Sequence, residues 1–365
     1  LACDLRSNSV LAELPLKGGT FGSKLNGFGA FSGDIPRGDP SLDQLDLIGA
    51  SVPGRTALYV DRDGVLIWGG IIWTRNFRKS QARVSLGGNE FFSYFHDKQE
   101  IRTTKVYNSA DQLFIARDLI NYAQGKTGGN IGVIVGSETS GVYVDYTWYP
   151  WDAKKLGQAI ADQASHDNGY DFAIDVAYDS ALVPRKYLRL SYPRRGRRFT
   201  QTALLFEFPG NIEDYDYPED GTRMANSVLA QGQGSQENQL SSVAVDTSKV
   251  DAGYPLLEEV RLYTSNFIPA SLNRHAAADL KAFAKPVLTP QLTVRADMDP
   301  VLGSYICGDE IRVRITDEWF NTGRAADGSY LGPGLDDYFR IIGMDVLPPD
   351  DSRDESVRLT LGPTV

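Results

Sequence analysis

Cysteine is nearly absent: Cys3 and Cys307 are the only two in 365 residues and stand at opposite ends of the chain. That gives neither a disulfide framework nor a zinc-ligand spacing, so two buried free thiols made in a reducing cytosol are expected. Histidine is equally scarce, with His96, His166 and His275 far apart. No HExxH or other close pair occurs, which removes the zinc-protease pattern. A Ser/His/Asp set would have to come from distant residues, and no GxSxG elbow accompanies the histidines. No run approaches the roughly 18 apolar residues that span a membrane. Residues 1–15 have no basic flank leading into an apolar segment, so no secretory signal and no membrane insertion are expected. Excess positive charge is also missing: the net charge is −10. A general nucleic-acid binder draws its affinity from neutralising phosphates. An acidic surface suits a protein past which nucleic acid slides, although acidity by itself discriminates little.

What is present is β-structure and its punctuation. The length points to two to four domains. The stretch LYVDRDGVLIWGGIIWTRNF at 58–77 reads as a hairpin, with Asp63-Gly64 in the turn. Gly69-Gly70 inside its second strand predicts a bulge or sharp bend. Short extended runs at 12–16, 27–31, 57–60, 65–73 and 82–87 make residues 1–105 a small barrel or sandwich. Residues 106–207 change texture to an α+β module. A helix is predicted over Ser109–Gln124, with Ser109 as N-cap in a capping box with Gln112. A second helix is predicted over Ala153–Ser165. Strands follow at Asp171–Tyr178, Lys186–Tyr192 and Thr200–Phe208, taken as an antiparallel set. Residues 208–365 return to β, broken by a helix at Leu272–Phe283, with strands at Leu292–Ala296, Glu310–Thr316, Tyr338–Leu347 and Ser356–Leu361.

Candidate chemistry is thin. Gly125-Lys126-Thr127 resembles the end of a phosphate loop but follows a helix instead of opening one, and position 120 is Ile, not Gly. Asp214, Asp216, Glu219 and Asp220 cluster, but Pro218 breaks the calcium-loop spacing. Asp350, Asp351, Asp354 and Glu355 read as a charged turn. No metal and no cofactor is expected. Trp148, Tyr149 and Trp151 could stack on sugars or pack in a core. The sharpest charge feature is Arg185, Lys186, Arg189, Arg194, Arg195, Arg197 and Arg198. Pro193-Arg194-Arg195-Gly196 reads as a hairpin turn that clusters guanidinium groups at its tip. Arg194, Arg195, Arg197 and Arg198 are therefore candidate subunit-contact residues, with a solvated tip as the plain alternative.

Three phrases resemble a known family. VDRDGVLIWGGIIW at 60–73, YDYPEDGTRMANSVLAQGQG at 215–234 and LTPQLTVRADMDPVLGSYICGDEIRVRI at 288–315 are similar to tail-hub proteins, the baseplate-hub or minor tail group of long-tailed bacteriophages of actinobacteria. The resemblance implies two tube-protein-like β-barrels, at 1–105 and 208–365, around the α+β middle at 106–207. It implies a homotrimer whose six barrels form a ring on the hexameric tail tube and lead to a three-fold tip. The implied partners are the tail tube or distal tail protein, the tape-measure protein, and tip fibre or spike proteins. DNA would pass without specific binding, and the chain would sit in the virion after assembly in the host cytoplasm. A non-enzymatic structural role follows.

Two other classes compete. A tail-associated cell-wall or polysaccharide hydrolase needs two convergent carboxylates in a cleft. A carbohydrate-binding receptor module needs Trp148 and Trp151 exposed side by side, whereas the hub reading expects both buried.

Overall fold

The computed structural model describes residues 1–365 except 37–44, 167, 202, 235–237, 264–268, 322, 324–331, 333, 350–353 and 365. Asp350 and Asp351 therefore lie outside the described residues. The chain opens with β1 (Ala2–Asp4), β2 (Val10–Ala12), β3 (Lys17–Lys24), β4 (Ala30–Pro36), α1 (Leu47–Ala50), β5 (Thr56–Arg62), β6 (Val65–Arg78) and β7 (Arg83–Glu90). The middle holds β8 (Lys105–Asp111), α2 (Gln112–Gly125), β9 (Val133–Ile134), β10 (Tyr143–Trp148), α3 (Leu156–Ala164), β11 (Asp171–Tyr178) and β12 (Pro184–Ser191). Next come β13 (Leu205–Phe208), β14 (Ile212–Asp216), β15 (Glu219–Asp220), β16 (Ser227–Gln231), β17 (Ser241–Val245), α4 (Thr247–Asp251) and β18 (Glu258–Leu262). The last elements are α5 (Pro269–Phe283), β19 (Val287–Leu288), β20 (Gln291–Arg295), β21 (Glu310–Ile315), β22 (Leu335–Leu347) and β23 (Ser356–Pro363). The chain is mainly β with an α+β insert, as its element order predicts.

Two compact units form: residues 1–215 with 291–365, and residues 216–290. In the first, strands from both ends of the chain share one 13-stranded sheet in the order β14-β20-β23-β22-β3-β4-β7-β6-β5-β1-β2, with β21 on β22 and β13 on β21. The join is antiparallel, Phe21–Lys24 of β3 against Gly343–Val346 of β22. Among the described residues no pairing closes the ends of that path into a ring.

The β5–β6 hairpin forms as expected. Asp63 and Gly64 both take positive φ, 53° and 82°, and the Gly64 N–H donates to Asp61 Oδ1 at 3.0 Å. The expected bulge does not fall on Gly69-Gly70 itself: β6 runs unbroken to Arg78, and its register shifts lie on either side, at Leu66–Trp68 against β5 and at Ile72–Thr74 against β7. Crowding explains the glycines instead. A Cβ on Gly70 would lie 2.4 Å from the Asn89 carbonyl oxygen and 2.5 Å from the Trp68 ring.

The helices pack into the same core as the opening strands. Leu113, Ile115, Ala116, Leu119, Ile120 and Ala123 of α2 join Cys3, Tyr59, Ile71, Phe91, Phe95 and Phe172 in one buried cluster. The N-cap is Asp111, not Ser109: β8 continues through Ser109, and Asp111 Oδ1 accepts from the N–H groups of Leu113 and Phe114. The second oxygen of Asp111 takes the Ser140 and Gly141 N–H groups, each at 2.8 Å, a double duty that a serine hydroxyl cannot match. The antiparallel set is correct for β11 and β12, which pair residue for residue from Asp171↔Ser191 to Tyr178↔Pro184. It fails for β13, which pairs in parallel with β21.

In the unit of residues 216–290, β16 lies between antiparallel β17 and parallel β18. Leu272 and Ala276 of α5 pack on Ala230, covering one face of that sheet. β15 pairs with β19.

Candidate assembly surface

The arginine segment begins where β12 ends. It is not a hairpin tip: after Ser191 the chain folds back over the Gly308-Asp309-Glu310 turn and goes on to β13. Two glycines permit this approach. Gly196 has φ +91° and its Cβ would sit 2.1 Å from the Gly308 carbonyl carbon, while Gly308 has φ +107° and its Cβ would sit 2.8 Å from the Arg195 oxygen. Only residues without side chains let these backbones meet.

Carboxylates fix the segment. Arg194 pairs with Glu310 at 2.6 Å, where the two side chains are 9% and 3% exposed. Arg195 reaches both oxygens of Asp175 at 2.8 and 2.9 Å. Arg197 holds Asp309 Oδ2 at 2.6 Å and also donates to the Ser304 carbonyl. Beneath them Arg340 of β22 donates to buried Asp171, to the Gly308 oxygen at 3.0 Å and to the Arg195 oxygen at 2.8 Å. Asp171 also accepts from the Arg195 N–H at 2.7 Å and from Asn26 at 2.8 Å. Burial alone would raise the Glu310 carboxyl. The Phe199 N–H and Arg194 outweigh that and hold it below the ordinary carboxylate range. Arg197 is raised, first by its bonds to Asp309.

Three of the four candidate arginines are thus neutralised within the chain. Arg198 is exposed, its N–H donating to Gln201. It lies in electrostatic range of Glu310 but forms no salt bridge among the described residues. Upstream, Arg185 pairs with Asp179 at 2.8 Å and Arg189 approaches Asp175 at 3.7 Å. Lys186 is fully buried, its ammonium donating to the Leu5 oxygen, Asn8 Oδ1 and the Ile131 oxygen at 2.9, 2.6 and 2.7 Å. The sequence signal for Lys186 was its parity: it shares the inward side of β12 with Pro184, Leu188 and Leu190.

The remaining candidates stay dispersed. His96 contacts Asp97, His166 contacts the Tyr146 hydroxyl, and His275 stacks on Tyr263. Lys126 folds onto the Glu100 oxygen at 2.6 Å. Cys3 and Cys307 are both buried and unbridged. Among the described residues no group of three or more His, Cys, Asp or Glu side chains could hold a metal. Asp214, Asp216, Glu219 and Asp220 are all exposed. The tryptophans separate: Trp148 is 9% exposed under Tyr146, whereas Trp151 is 76% exposed and stacks on Tyr149 at 4.6 Å.

No family model and no curated protein matches the chain. Solved structures do. The tail protein from Neisseria meningitidis MC58 is similar with a TM-score of 0.60 at 15% identity, covering 99% of this chain and 96% of that one. The 43 kDa tail protein of prophage MuSo2 from Shewanella oneidensis gives 0.61 at 10% identity, over 95% and 93% of the two chains. Prophage tail protein gp18 from Listeria monocytogenes EGD-e gives 0.52 at 8% identity, over 98% and 93%. At such identities the shared property is the fold alone.

Proposed function

We propose that this chain is a structural tail-tip hub of a long-tailed bacteriophage. One observation carries the reading: the similarity to tail proteins runs over 95% or more of this chain and 93% or more of each of three partners, so it concerns the whole architecture and not one module. In this proposal three copies form a ring that joins the hexameric tail tube to the three-fold tip and lets DNA pass. Residues 1–105 and 208–365 each supply a tube-like barrel, and residues 106–207 the α+β module between them. The tail tube or distal tail protein, the tape-measure protein and the tip fibres or spikes are its neighbours. The actinobacterial setting rests on the three phrases quoted above.

Charge supports passage of DNA. An array of free guanidinium groups would hold phosphates. Here Arg194, Arg195 and Arg197 are neutralised by Glu310, Asp175 and Asp309 in a chain of net charge −10. Of the candidate subunit-contact residues, Arg198 is the one whose guanidinium has no salt bridge among the described residues, and it is the one offered to a neighbouring protomer. Exposed Trp151 favours a carbohydrate-binding role as the second reading, although buried Trp148 denies it the side-by-side platform.

Negative-stain microscopy with the mass in solution tests the proposal. A three-fold ring with an opening wide enough for duplex DNA is expected, alone or after addition of tail tube. A stable closed dimer without a channel would overturn it.

A further inference from the structure

The sheet of the 216–290 unit has two faces, and among the described residues of that unit α5 covers one of them and nothing covers the other. On the bare face the register places Val245, Ser227 and Glu258 in one row, Val243, Leu229 and Val260 in the next, and Ser241, Gln231 and Leu262 in the third. Val243, Val245, Val260 and Leu262 are 60%, 49%, 52% and 66% exposed. A contiguous apolar surface of this kind marks a place where something docks.

The edges say what docks there. β18 carries Glu258, Glu259 and Arg261, the charged guard that natural edge strands use against pairing. β17 reads Ser-Ser-Val-Ala-Val, without charge or proline, and its register with β16 has no bulge. The Asp246 N–H donates to the Asn226 oxygen and the Gly232 N–H to the Leu240 oxygen. In an antiparallel ladder alternate residues face the neighbour, so Ser242 and Ala244 bond toward β16. The N–H and C=O groups of Ser241, Val243 and Val245 then point to the open side, where β17 has no strand neighbour among the described residues.

We infer that β17 is a strand-docking edge that takes an extended segment of a partner protein. The segment is free of proline, and its alternate apolar side chains extend the row of Val243, Leu229 and Val260. A helix would cover the apolar face but leave the row of backbone donors and acceptors at β17 unpaired; a strand satisfies both. The inference does not rest on the ring reading. A dimer in the microscope would overturn the ring and leave this edge standing, and the reverse result below would leave the ring untouched.

The test is hydrogen exchange of the full chain with a seven-residue peptide of alternating threonine and valine at millimolar concentration. Amide exchange across Ser241–Val245 should slow by about tenfold, and a peptide with proline at its central valine should have no effect. Val243→Pro removes an outward N–H and leaves the β16 ladder whole, which is where an edge strand tolerates proline. Val243→Lys adds the missing charged guard. Both variants should abolish the protection. Protection that fails to appear in the parent chain, or that persists in both variants, overturns the proposal. Protection that grows with protein concentration without peptide overturns the choice of occupant in favour of a second copy.

Discussion

Replacing Lys186 with methionine keeps the length of a fully buried side chain and deletes its charge and three donors. Burial pushes the ammonium down to about 7 from an ordinary 10.5. The folded pKa lies below the unfolded one, so between these values the unfolded chain holds more protons and stability rises with pH. Near pH 7 about half the native lysines are charged, and the linkage cost relative to the unfolded chain is about 4 kcal/mol. Near pH 9.5 that cost falls to about 1 kcal/mol, so the parent protein gains about 3 kcal/mol over the interval. The methionine variant has no proton to exchange there. It leaves the Leu5, Asn8 and Ile131 oxygens without this donor, and each bond to a charged donor is worth about 1.5–3 kcal/mol.

The bonds made by the charged form are already contained in its folded pKa, so the quantity to follow is how the difference between parent and variant changes with pH. The gap should then widen by about 3 kcal/mol toward pH 9.5, because only the parent sheds its linkage cost. Urea unfolding of both proteins at half-unit steps from pH 7 to 9.5 measures this. The widening depends on linkage alone and not on the strength of the bonds. A difference that stays flat with pH would refute burial as the controlling factor. It would show instead that three acceptors, matched to the three N–H bonds of an ammonium, keep the group charged.

Three further outcomes follow from packing and charge. Arg340→Leu strands Asp171 without its guanidinium partner where the two side chains are 8% and 7% exposed, and should cost about 3–5 kcal/mol in urea unfolding; a loss below about 1 kcal/mol would show that Asn26 and the Arg195 N–H suffice. Burial pushes the Glu90 carboxyl up to about 7 from 4.5, so its contribution to stability is fully present below about 4.5 and is lost as pH rises through 7. Glu90→Gln should remove that decline, which unfolding midpoints across the window would show. Gly70→Ala drives a methyl into the Asn89 carbonyl and should cost about 1–3 kcal/mol or more, whereas Gly125→Ala has open space and should be neutral or slightly stabilising by thermal unfolding.

Much of the fold was legible wherever local pattern and long-range pairing agree. β11 was read to the residue because its flanking turns and its pairing with β12 bound the same eight positions. The N-cap is ambiguous in the sequence because Ser109 and Asp111 are both capping residues. What decides between them is the continuation of β8 against β10, which lies outside the window a capping pattern inspects. The Gly69-Gly70 pair has the same appearance whether a strand bends there or a neighbour crowds it. Only the position of Asn89 and Phe91 separates the two.

The arginine segment shows the limit most clearly. Its charges were plain in the sequence, but their direction depends on acids elsewhere: Asp175 on β11, and Asp309 and Glu310 more than a hundred residues on. Neither Gly196 nor Gly308 reveals its purpose alone, since each is needed only because the other backbone is there. Once that approach exists, Arg194, Arg195 and Arg197 have partners at bonding distance and turn inward. Same-sign clusters read from sequence are therefore evidence of an ion-pair network before they are evidence of a binding surface. An interface is better sought among exposed groups the fold leaves without a partner, and among the described residues these include the open edge of β17 and the guanidinium of Arg198.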